Sequence, residues 1–367
     1  MKKILIGMIM DGKAGGVDRY ILDFHKDIHG IYANVDFLTS NYDKNLAEEL
    51  KKSGSELLEC PKMTDLSGQY KALKKIVSEK KYDIVYFNYS TAIGWTAVKG
   101  AHDAGAKKVI VHSHNSGFSR DNILIQIIYK LIHYLFRPLL CRYATDYLSC
   151  SDKAAHWMFG SKSKNENSVK YIKNEVNTEI YCFSEQKREY FRSEFGLEDS
   201  FVIGQVGGML KAKNQAFLIK IMPKLKKYIP NAKLLLVGDG EKRRSLQILT
   251  KKLNLNDDVI FAGYMNTTNG VMNAFDVFCL PSYIEGLPYV ALEAQIIRIP
   301  CILSDKITKQ VAQTSACAYI SINKPKQWIN KIVKYQDMDR CKIQGLKNQD
   351  DKFITRVEFI EDMLKKF

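Results

Sequence analysis

The chain lacks the cysteine pattern of a disulfide framework or a zinc site. Its eight cysteines are scattered, and no two of them form a C-x-x-C pair. The basic and apolar start, Met1 to Met10, is followed by Asp11 to Gly16 and not by a small-residue cleavage site. We therefore expect a buried first strand in place of a secretory signal, and reduced thiols in the cytoplasm.

Low-complexity sequence is also missing. No long tract of Ser, Gly, Pro or Gln indicates a disordered arm, and 46% hydrophobic with 26% charged residues is ordinary for a globular protein. The whole chain is therefore expected to fold. Its 367 residues exceed what one hydrophobic core usually supports, so two domains are the natural expectation.

A membrane span is not expected either. The most apolar stretch, Asn122 to Tyr143, is interrupted by charged residues and contains Pro138, so it falls short of the roughly 20 apolar residues that a span needs. Two interpretations remain open. We favour a core helix that packs on a sheet; the alternative is a helix in a membrane interface. In the second case the charged side chains that face the lipid phosphates are those of Arg120, Lys130, Arg137 and Arg142.

The formal net charge is +15, which suits nucleic acid, anionic lipid or an anionic substrate equally well. No recognised nucleic-acid motif accompanies this charge, and the lysines are spread over many amphipathic helices instead of one dense block. The membrane surface is therefore the preferred partner, and nucleic acid is not expected. The oligomeric state is left undetermined.

Short apolar strands alternate with helical patterns along the whole chain, which predicts parallel sheets covered on both faces. The predicted strands are 3–10, 33–39, 84–88, 108–112 and 146–150, then 201–206, 233–237, 259–262, 277–280 and 301–304. A polar stretch near residues 181 to 200 separates the two series. The predicted fold is α/β: two Rossmann-like, doubly wound domains that face a cleft, 1–183 and 184–350, with a C-terminal helix, 351–367, that packs back on the first domain.

The most informative stretch runs from Pro281 to Ala294, P-S-Y-I-E-G-L-P-Y-V-A-L-E-A, and reads as loop and helix after a strand. Pro288 suits the first turn of a helix, and Gly286 lets the backbone approach a ligand closely. The amides of Leu287 and its neighbours, with the helix dipole, then predict a site for an anionic or hydroxyl-rich ligand.

Two carboxylates frame that helix start. Glu285 lies in the loop and Glu293 lies inside the helix, so they are placed to meet opposite ends of one extended ligand. A carboxylate accepts hydrogen bonds bidentately from a vicinal diol, which suits Glu293 for a ribose and Glu285 for sugar hydroxyls. From spacing alone, two glutamates eight apart are more often simply solvated.

The whole stretch resembles the signature of the retaining glycosyltransferase family 4, of GT-B fold. In that family an E-x7-E element, usually within P-S-x-x-E-G-x-P-x-x-x-x-E-A, binds the donor, and Glu285 and Glu293 match its two glutamates. The resemblance extends over nearly the whole chain. It implies a nucleotide-sugar donor, retention of anomeric configuration and no need for a divalent metal or other cofactor, and no D-x-D-like cluster stands at a plausible strand end.

In the first domain, the loop from Gly12 to Asp18 is similar to the family's glycine turn after the first strand, and the resemblance implies that the amides of Gly15 and Gly16 face the donor. His112-Ser113-His114-Asn115 is similar to an H-S-H-N element that places a histidine beside the donor sugar. We favour His114, because alternation at a strand end should turn only one imidazole toward the ligand. The alternative is that both histidines merely pack or cap.

In the second domain, the stretch from Val206 to Asn214 resembles the family's V-G-R-x-x-x-x-K-N, whose two basic side chains contact the donor pyrophosphate. Lys213 matches the lysine, but Gly208 stands where the family has arginine. Losing one donor to a developing anion costs about 10² to 10³ in rate, so either Lys211 substitutes or activity is low. Tyr264 is expected to border the nucleotide base.

The resemblance thus implies a hexosyltransferase with Glu285, Lys213 and His114 as catalytic residues and Gly15, Gly16, Lys213, Tyr264, Glu285, Gly286, Leu287, Pro288 and Glu293 as donor-binding residues. The expected acceptor is a lipid-linked or growing glycan in capsule, exopolysaccharide or O-antigen synthesis, with the enzyme peripheral at the inner face of the plasma membrane. The alternative is an inactive family member that regulates a partner glycosyltransferase.

Overall fold

The structure is a computed structural model that describes residues 1–10, 15–119, 122–165, 168–265, 267–344 and 353–365. The chain divides into two compact units. The first unit is Met1–Glu175 with Asp351–Phe367, and the second is Val176–Asp350. The predicted boundary at residue 183 and the observed one lie on the same polar connection between the two series of strands.

The first unit is an α/β layer structure. Its strands are β1 (Lys2–Gly7), β2 (Ala33–Thr39), β3 (Leu57–Glu59), β4 (Ile84–Tyr89), β5 (Lys108–Ser113), β6 (Asp146–Ser149), β7 (Lys170–Ile172) and β14 (Phe353–Ile354). Its helices are α1 (Gly16–Ile28), α2 (Lys44–Lys52), α3 (Leu66–Lys80), α4 (Trp95–Asp103), α5 (Ile123–Tyr143), α6 (Asp152–Phe159) and α12 (Arg356–Lys365).

The second unit repeats this plan. Its strands are β8 (Phe201–Val206), β9 (Ala232–Val237), β10 (Val259–Gly263), β11 (Val277–Leu280), β12 (Cys301–Ser304) and β13 (Cys317–Ile320). Its helices are α7 (Glu185–Glu194), α8 (Gln215–Leu225), α9 (Arg243–Lys252), α10 (Tyr289–Ile296) and α11 (Pro325–Tyr335).

Both sheets are parallel in every pairing that the described residues make. The strand order is β14-β7-β6-β5-β4-β1-β2-β3 in the first unit and β10-β9-β8-β11-β12-β13 in the second. The predicted doubly wound fold is confirmed. The predicted first strand, 3–10, ends early, at Gly7. The strands β3, β7 and β14 were missed because each has only two or three residues, too few to show a pattern. The four-residue strand β13 was also missed.

Burial on both faces explains why the strands read as continuous apolar runs. In β1, Leu5 packs into one core with α3 and α4, whereas its neighbours Ile4 and Ile6 pack into another with α1 and α12. All three side chains are fully buried. A sheet covered in this way has no polar face, so alternation disappears from its sequence.

The C-terminal helix packs on the first unit, as predicted. Phe359, Ile360 and Met363 of α12 are buried in the same core as α1. Arg356, at the start of α12, pairs with Asp27 of α1, and Lys108 donates to the carbonyl of Met363 at 2.7 Å. The carbonyls of the last turn of a helix have no partner within the helix, so Lys108 of β5 satisfies one of them in α12.

The preferred interpretation of the apolar stretch 122–143 is wrong. It forms one helix, α5, capped by Asn122 and continuous through Pro138, but it is not a core helix. Only 11% of its most apolar window is buried inside the structure, and Leu124, Leu131 and Leu135 are each more than 60% exposed. By length and composition, α5 is long and apolar enough to span a membrane. From the sequence we expected no span, because charged residues and Pro138 interrupt the stretch. Arg120 lies outside the described residues.

Three arginines of the second unit converge on one carboxylate. Arg188 and Arg192 of α7 reach Asp276 at 2.6 and 2.5 Å, and Arg340 lies 3.6 Å away. Asp276 also accepts the amide of Val202 at 2.7 Å, so it joins α7 to the centre of the sheet. Burial and the neighbouring arginines lower the pKa of Arg340 to about 10.

Replacing Asp276 by Ala should therefore destabilise the second unit strongly. The variant leaves guanidinium groups buried without their carboxylate, for which a loss of about 3 to 5 kcal/mol is expected in the free energy of unfolding. Urea titration of the full chain measures it. Asp199→Ala, which removes an exposed acid of the same unit, is the control and should stay within about 0.5 kcal/mol of the wild type; an equal effect of both variants would contradict the role assigned to Asp276.

Candidate active site

The strand order of the second sheet reverses between β8 and β11. In doubly wound sheets, ligands bind beyond the carboxyl ends of the strands at such a switch point. The segments that follow these two strands are 207–214 and 281–288, and they contain Lys213 and Glu285. The fold therefore brings together two predicted residues that are far apart in sequence.

Lys213 and Glu285 form an ion pair at this edge. The Nζ of Lys213 donates to Oε1 of Glu285 at 2.7 Å. Glu285 is 8% exposed, so its carboxylate is largely removed from water. A buried charge is tolerated when it is paired and hydrogen-bonded. Lys213 provides both the opposite charge and the hydrogen bond for the carboxylate of Glu285. One carboxylate oxygen uses one of the three donors of the ammonium.

The backbone around this pair is fixed by hydrogen bonds between the two segments. The amide of Tyr283 donates to the carbonyl of Ala212 at 2.8 Å, and the side-chain amide of Asn214 donates to the carbonyl of Pro281 at 3.1 Å. Gln205 of β8 donates to the carbonyl of Lys213 at 3.0 Å. Gln205 and Asn214 were not predicted as site residues. Asn214 carries a sequence signal, because it follows the lysine in the family pattern.

The loop after β11 is buried, although it is a connection. Gly286, Leu287 and Pro288 are all buried, and Glu293 in α10 is 1% exposed. The prediction for Pro288 needs a correction: it lies at the N-cap position with extended backbone, and the helix begins at Tyr289. Its missing N–H costs nothing there, because the first amides of a helix have no partner within it.

Gly208 has room for a Cβ atom. A Cβ built at this position would lie no closer than 3.6 Å to Leu210 and 3.7 Å to the carbonyl oxygen of Asp239, which is ordinary van der Waals contact. Gly207 differs, because its φ of 144° is a conformation that favours glycine. Glycine is therefore required at 207 and not at 208. Lys211, the predicted substitute, is half-buried in the short 3₁₀ turn that ends at Lys213.

Tyr264 follows β10, the edge strand, and is separated from β8 by β9. Its side chain is 51% exposed. It lies at the same edge of the sheet as Lys213 and Glu285, because the strands are parallel. Its assignment to a nucleotide base stays a prediction.

In the first unit the strand order reverses between β1 and β4. Gly15 is the N-cap residue of α1, with a φ of 99°, and the helix starts at Gly16. The carboxylate of Asp18 accepts the amide of Met10 at 3.1 Å and ties the helix start to the end of β1. Gly12, Lys13 and Ala14 of the predicted loop lie outside the described residues. The donor contacts of Gly15 and Gly16 stay a prediction.

His114 is held across this switch point by Asn88 of β4. The Nδ2 of Asn88 donates to the carbonyl of Gly7 in β1 at 3.0 Å, so its Oδ1 is the atom that faces His114, at 2.7 Å from Nε2. Because a carbonyl oxygen only accepts, the Nε2 of His114 carries the proton. This leaves Nδ1 as the acceptor nitrogen of the ring. Asn88 was not predicted, and no sequence motif signals it.

Residues two apart on a strand lie on the same face, so alternation does not separate the two imidazoles, and the reason given for preferring His114 is wrong. His114 is half-buried, whereas His112 is fully buried. The Nδ1 of His112 lies 2.8 Å from the hydroxyl of Tyr86, and the two imidazole centroids are 3.9 Å apart. Burial, together with His114, holds the pKa of His112 well below its usual value, and burial lowers the pKa of His114 to about 3. Both rings are therefore neutral at physiological pH.

Within the described residues, no group of three or more His, Cys, Asp and Glu side chains is arranged to hold a metal ion. The arrangement instead offers an ammonium, two buried carboxylates and a helix start in the second unit, and a neutral imidazole in the first.

Solved structures share this fold. The crystal structure of Anabaena Alr3699/HepE in complex with UDP and glucose matches with a TM-score of 0.73 and 19% identity, over 93% of this chain and 91% of the other. At this identity the likeness establishes the fold. Together with the two parallel sheets, it defines the class as a GT-B glycosyltransferase fold.

Family models match both halves of the chain. The model described as Glycosyltransferase Family 4 covers residues 14–180, and the model described as Glycosyl transferases group 1 covers residues 186–335. The chain belongs to glycosyltransferase family 4 and is a glycosyltransferase, which confirms the resemblance.

Two relatives match over most of their length. A Bacillus subtilis protein named as a glycosyltransferase, EpsF, is 27% identical over 94% of this chain and 91% of its own. The Escherichia coli UDP-Gal:alpha-D-GlcNAc-diphosphoundecaprenol alpha-1,3-galactosyltransferase is 27% identical over 82% of this chain and 79% of its own.

Replacing Asn88 by Asp should raise the pKa of His114 from about 3. A carboxylate beside Nε2 favours the imidazolium, whereas the amide favours only the neutral ring. Titration of ¹⁵N-histidine-labelled protein, with the resonance assigned by His114→Gln, measures the change. In the wild type the shifts should show a proton on Nε2 throughout the range from pH 5 to 8. Asn115→Asp adds the same charge one residue away and should shift the pKa less; equal shifts would contradict the assigned contact.

Proposed function

We propose that the protein moves a sugar from a UDP-sugar to a lipid-linked or growing glycan with retention of configuration, in surface polysaccharide synthesis. The observation that carries the proposal is the Lys213–Glu285 pair, which lies at the β8/β11 switch point directly before the start of α10. This is the place and the chemistry that a nucleoside diphosphate requires.

Lys213 supplies positive charge to the donor pyrophosphate. Its ammonium has donors beyond the one that Glu285 accepts. As the bond between the sugar and the phosphate breaks, negative charge grows on the departing diphosphate, and a fixed ammonium stabilises it. The amides at the start of α10 act in the same direction, because a helix N-terminus attracts anions. These groups do the work of a divalent metal, so we propose that none is needed.

The two carboxylates bind opposite ends of the donor. Glu293 is buried in a helix whose neighbouring residues, Leu292 and Ala294, are apolar. Such a carboxylate is costly to bury, which favours a binding role such as holding the ribose diol. Glu285, beside Lys213, is assigned to hydroxyls of the sugar. The neutral Nδ1 of His114 accepts a hydrogen bond from another sugar hydroxyl, and Gly15 and Gly16 are proposed to contact the phosphates and sugar.

Retention follows if the acceptor attacks from the face that the diphosphate leaves. The C1–O bond to the phosphate breaks with oxocarbenium character, the acceptor oxygen bonds to C1, and its proton passes to the departing phosphate oxygen. Glu285 is engaged by Lys213, so we assign it to substrate binding and not to nucleophilic attack.

The setting is proposed to be the cytoplasmic face of the plasma membrane. The exposed apolar side chains of α5 suit contact with lipid acyl chains, and its cations Lys130, Arg137 and Arg142 suit contact with anionic lipid headgroups. The E. coli relative, by its printed name, acts on a sugar linked to diphosphoundecaprenol. A lipid-linked acceptor for this chain agrees with both observations.

A second candidate is an inactive member that regulates a partner glycosyltransferase, and Gly208 favours it. The family's arginine is missing there, although a Cβ at this position would make only ordinary contacts. A chain that no longer needs to stabilise a leaving diphosphate would tolerate this loss.

Donor turnover is tested first, across a panel of UDP-, GDP- and ADP-sugars with and without chelator. We expect release of nucleoside diphosphate from a UDP-sugar that survives the chelator. Glu285→Gln should lower the release by about 10² or more, because it removes the carboxylate that holds Lys213 where charge develops on the diphosphate. Glu293→Gln should weaken donor binding. Glu198→Gln, an exposed acid of the same unit, is the control. Turnover that requires a metal, or variants that match the control, would refute the proposal.

Gly208→Arg separates the two candidates. In an active enzyme, a guanidinium at this position should raise donor turnover, up to the roughly 10² to 10³ attributed to one such donor. Leu210→Arg adds the same charge to an exposed position of the same loop and should have little effect. If neither the wild type nor Gly208→Arg binds or turns over any donor, the regulatory role is the better account.

A further inference from the structure

The first unit contains a cationic depression at the C-terminal half of α5. It has a volume of about 300 Å³ and is lined by Arg137, Arg142, Lys162, Ser161 and the apolar floor of Cys141 and Phe159. The lining contains no acidic residue. Neither the fold nor the proposed transfer reaction uses this place, which we call the α5 pocket.

In the part of the chain that the structure describes, the cations of the α5 pocket have no carboxylate partners. Lys162 donates to the hydroxyl of Tyr147 at 2.8 Å and lies 4.5 Å from the centre of that ring. Within the residues that the structure describes, none of the three cations forms an ion pair. Their charge is therefore directed to a ligand or to solvent and is not neutralised by the protein.

One of these cations is built into the fold. The guanidinium of Arg137 packs over Gly160, where a Cβ would lie 2.4 Å from it, and Gly160 has a φ of 59°. The Nη1 of Arg137 lies 3.4 Å from the carbonyl oxygen of Trp157, and the guanidinium lies 5.2 Å from the centre of the Tyr134 ring. These neighbours fix the side chain without consuming its charge.

The α5 pocket continues an exposed apolar strip. Spacings of three and four residues place one row of side chains on a single face of the helix. The row is Leu124, Ile128, Leu131, Leu135, Pro138 and Arg142. Its first four members are 66, 53, 63 and 69% exposed. From Leu124 to Leu135 the strip is about 16 Å long, and it ends at the pocket. No Asp or Glu occurs from Ile123 to Tyr143.

An apolar strip that leads into a cationic pocket matches an amphiphile with an anionic head. We propose that the α5 pocket binds the phosphate or diphosphate headgroup of a membrane lipid, while the strip contacts its hydrocarbon. Arginine suits this group, because its planar fork donates two parallel hydrogen bonds to phosphate oxygens. The inference rests on the proposed position at the membrane surface and adds a defined site to it.

Vesicle flotation with the full chain tests the site. Three compositions are compared: phosphatidylcholine alone, phosphatidylcholine with phosphatidylglycerol, and phosphatidylcholine with polyprenyl phosphate at equal charge. The pocket variant is Arg137→Gln with Arg142→Gln and Lys162→Gln. The matched control, Lys51→Gln with Lys52→Gln and Lys71→Gln, removes the same charge from exposed positions of α2 and α3 in the same unit.

We expect the wild type and the control to bind both anionic vesicles, and the pocket variant to bind them at least ten-fold more weakly. Tighter binding to polyprenyl phosphate than to phosphatidylglycerol would identify an acceptor-like lipid, and equal binding would identify bulk anionic lipid. Leu131→Gln with Leu135→Gln should weaken binding to both anionic vesicles. Because Arg142 is exposed, Arg142→Gln alone serves if the triple variant unfolds, with a smaller loss in the same direction.

Equal binding by the pocket variant and the wild type overturns the inference, and so does an equal loss in the control, which would show that only net charge matters. Wild-type protein that floats with no vesicle overturns both the pocket and the membrane setting. The donor panel is independent of lipid, so transferase activity can survive that result, and the two failures are distinguishable.

Discussion

Parallel strand pairing is the constraint on which the rest of this structure depends. Because every pairing among the described strands is parallel, the carboxyl ends of all strands in a unit share one edge, and most of the connections between strands contain a helix. The order reverses between β8 and β11 in one unit and between β1 and β4 in the other. Lys213 and Glu285 meet at the first reversal, and His114 and Asn88 at the second. The sites are consequences of topology.

The two reversals use polar groups in different ways. In the second unit, charge is buried as a pair, so that an ammonium is held where a diphosphate is expected. In the first unit, the imidazole of His114 is kept neutral by burial, and Asn88 fixes which nitrogen carries the proton. The ammonium in the second unit suits attraction of an anion. The neutral imidazole in the first unit suits recognition of a hydroxyl without attracting an anion.

The surface of the first unit differs from that of an ordinary soluble domain at α5. A helix with this much exposed Leu and Ile is costly in water, since roughly 25 cal/mol is lost for each Å² of apolar surface left unburied. The three cations of the α5 pocket do not cover the strip, because they lie at its end. The proposed lipid surface would cover the apolar strip and pair with the cations at its end, which is the reason for proposing it.

The sequence by itself determined the fold class, the order of the main elements, the family and the E-x7-E segment, because apolar runs, turn residues and a contiguous motif are local signals. Tertiary structure decided what no local signal encodes. The contact of Lys213 with Glu285 and that of His114 with Asn88 join distant segments. The exposure of α5 depends on which neighbours cover a helix, and an apolar sequence alone favoured the core. Whether Gly208 tolerates a Cβ likewise depends on the positions of Leu210 and Asp239.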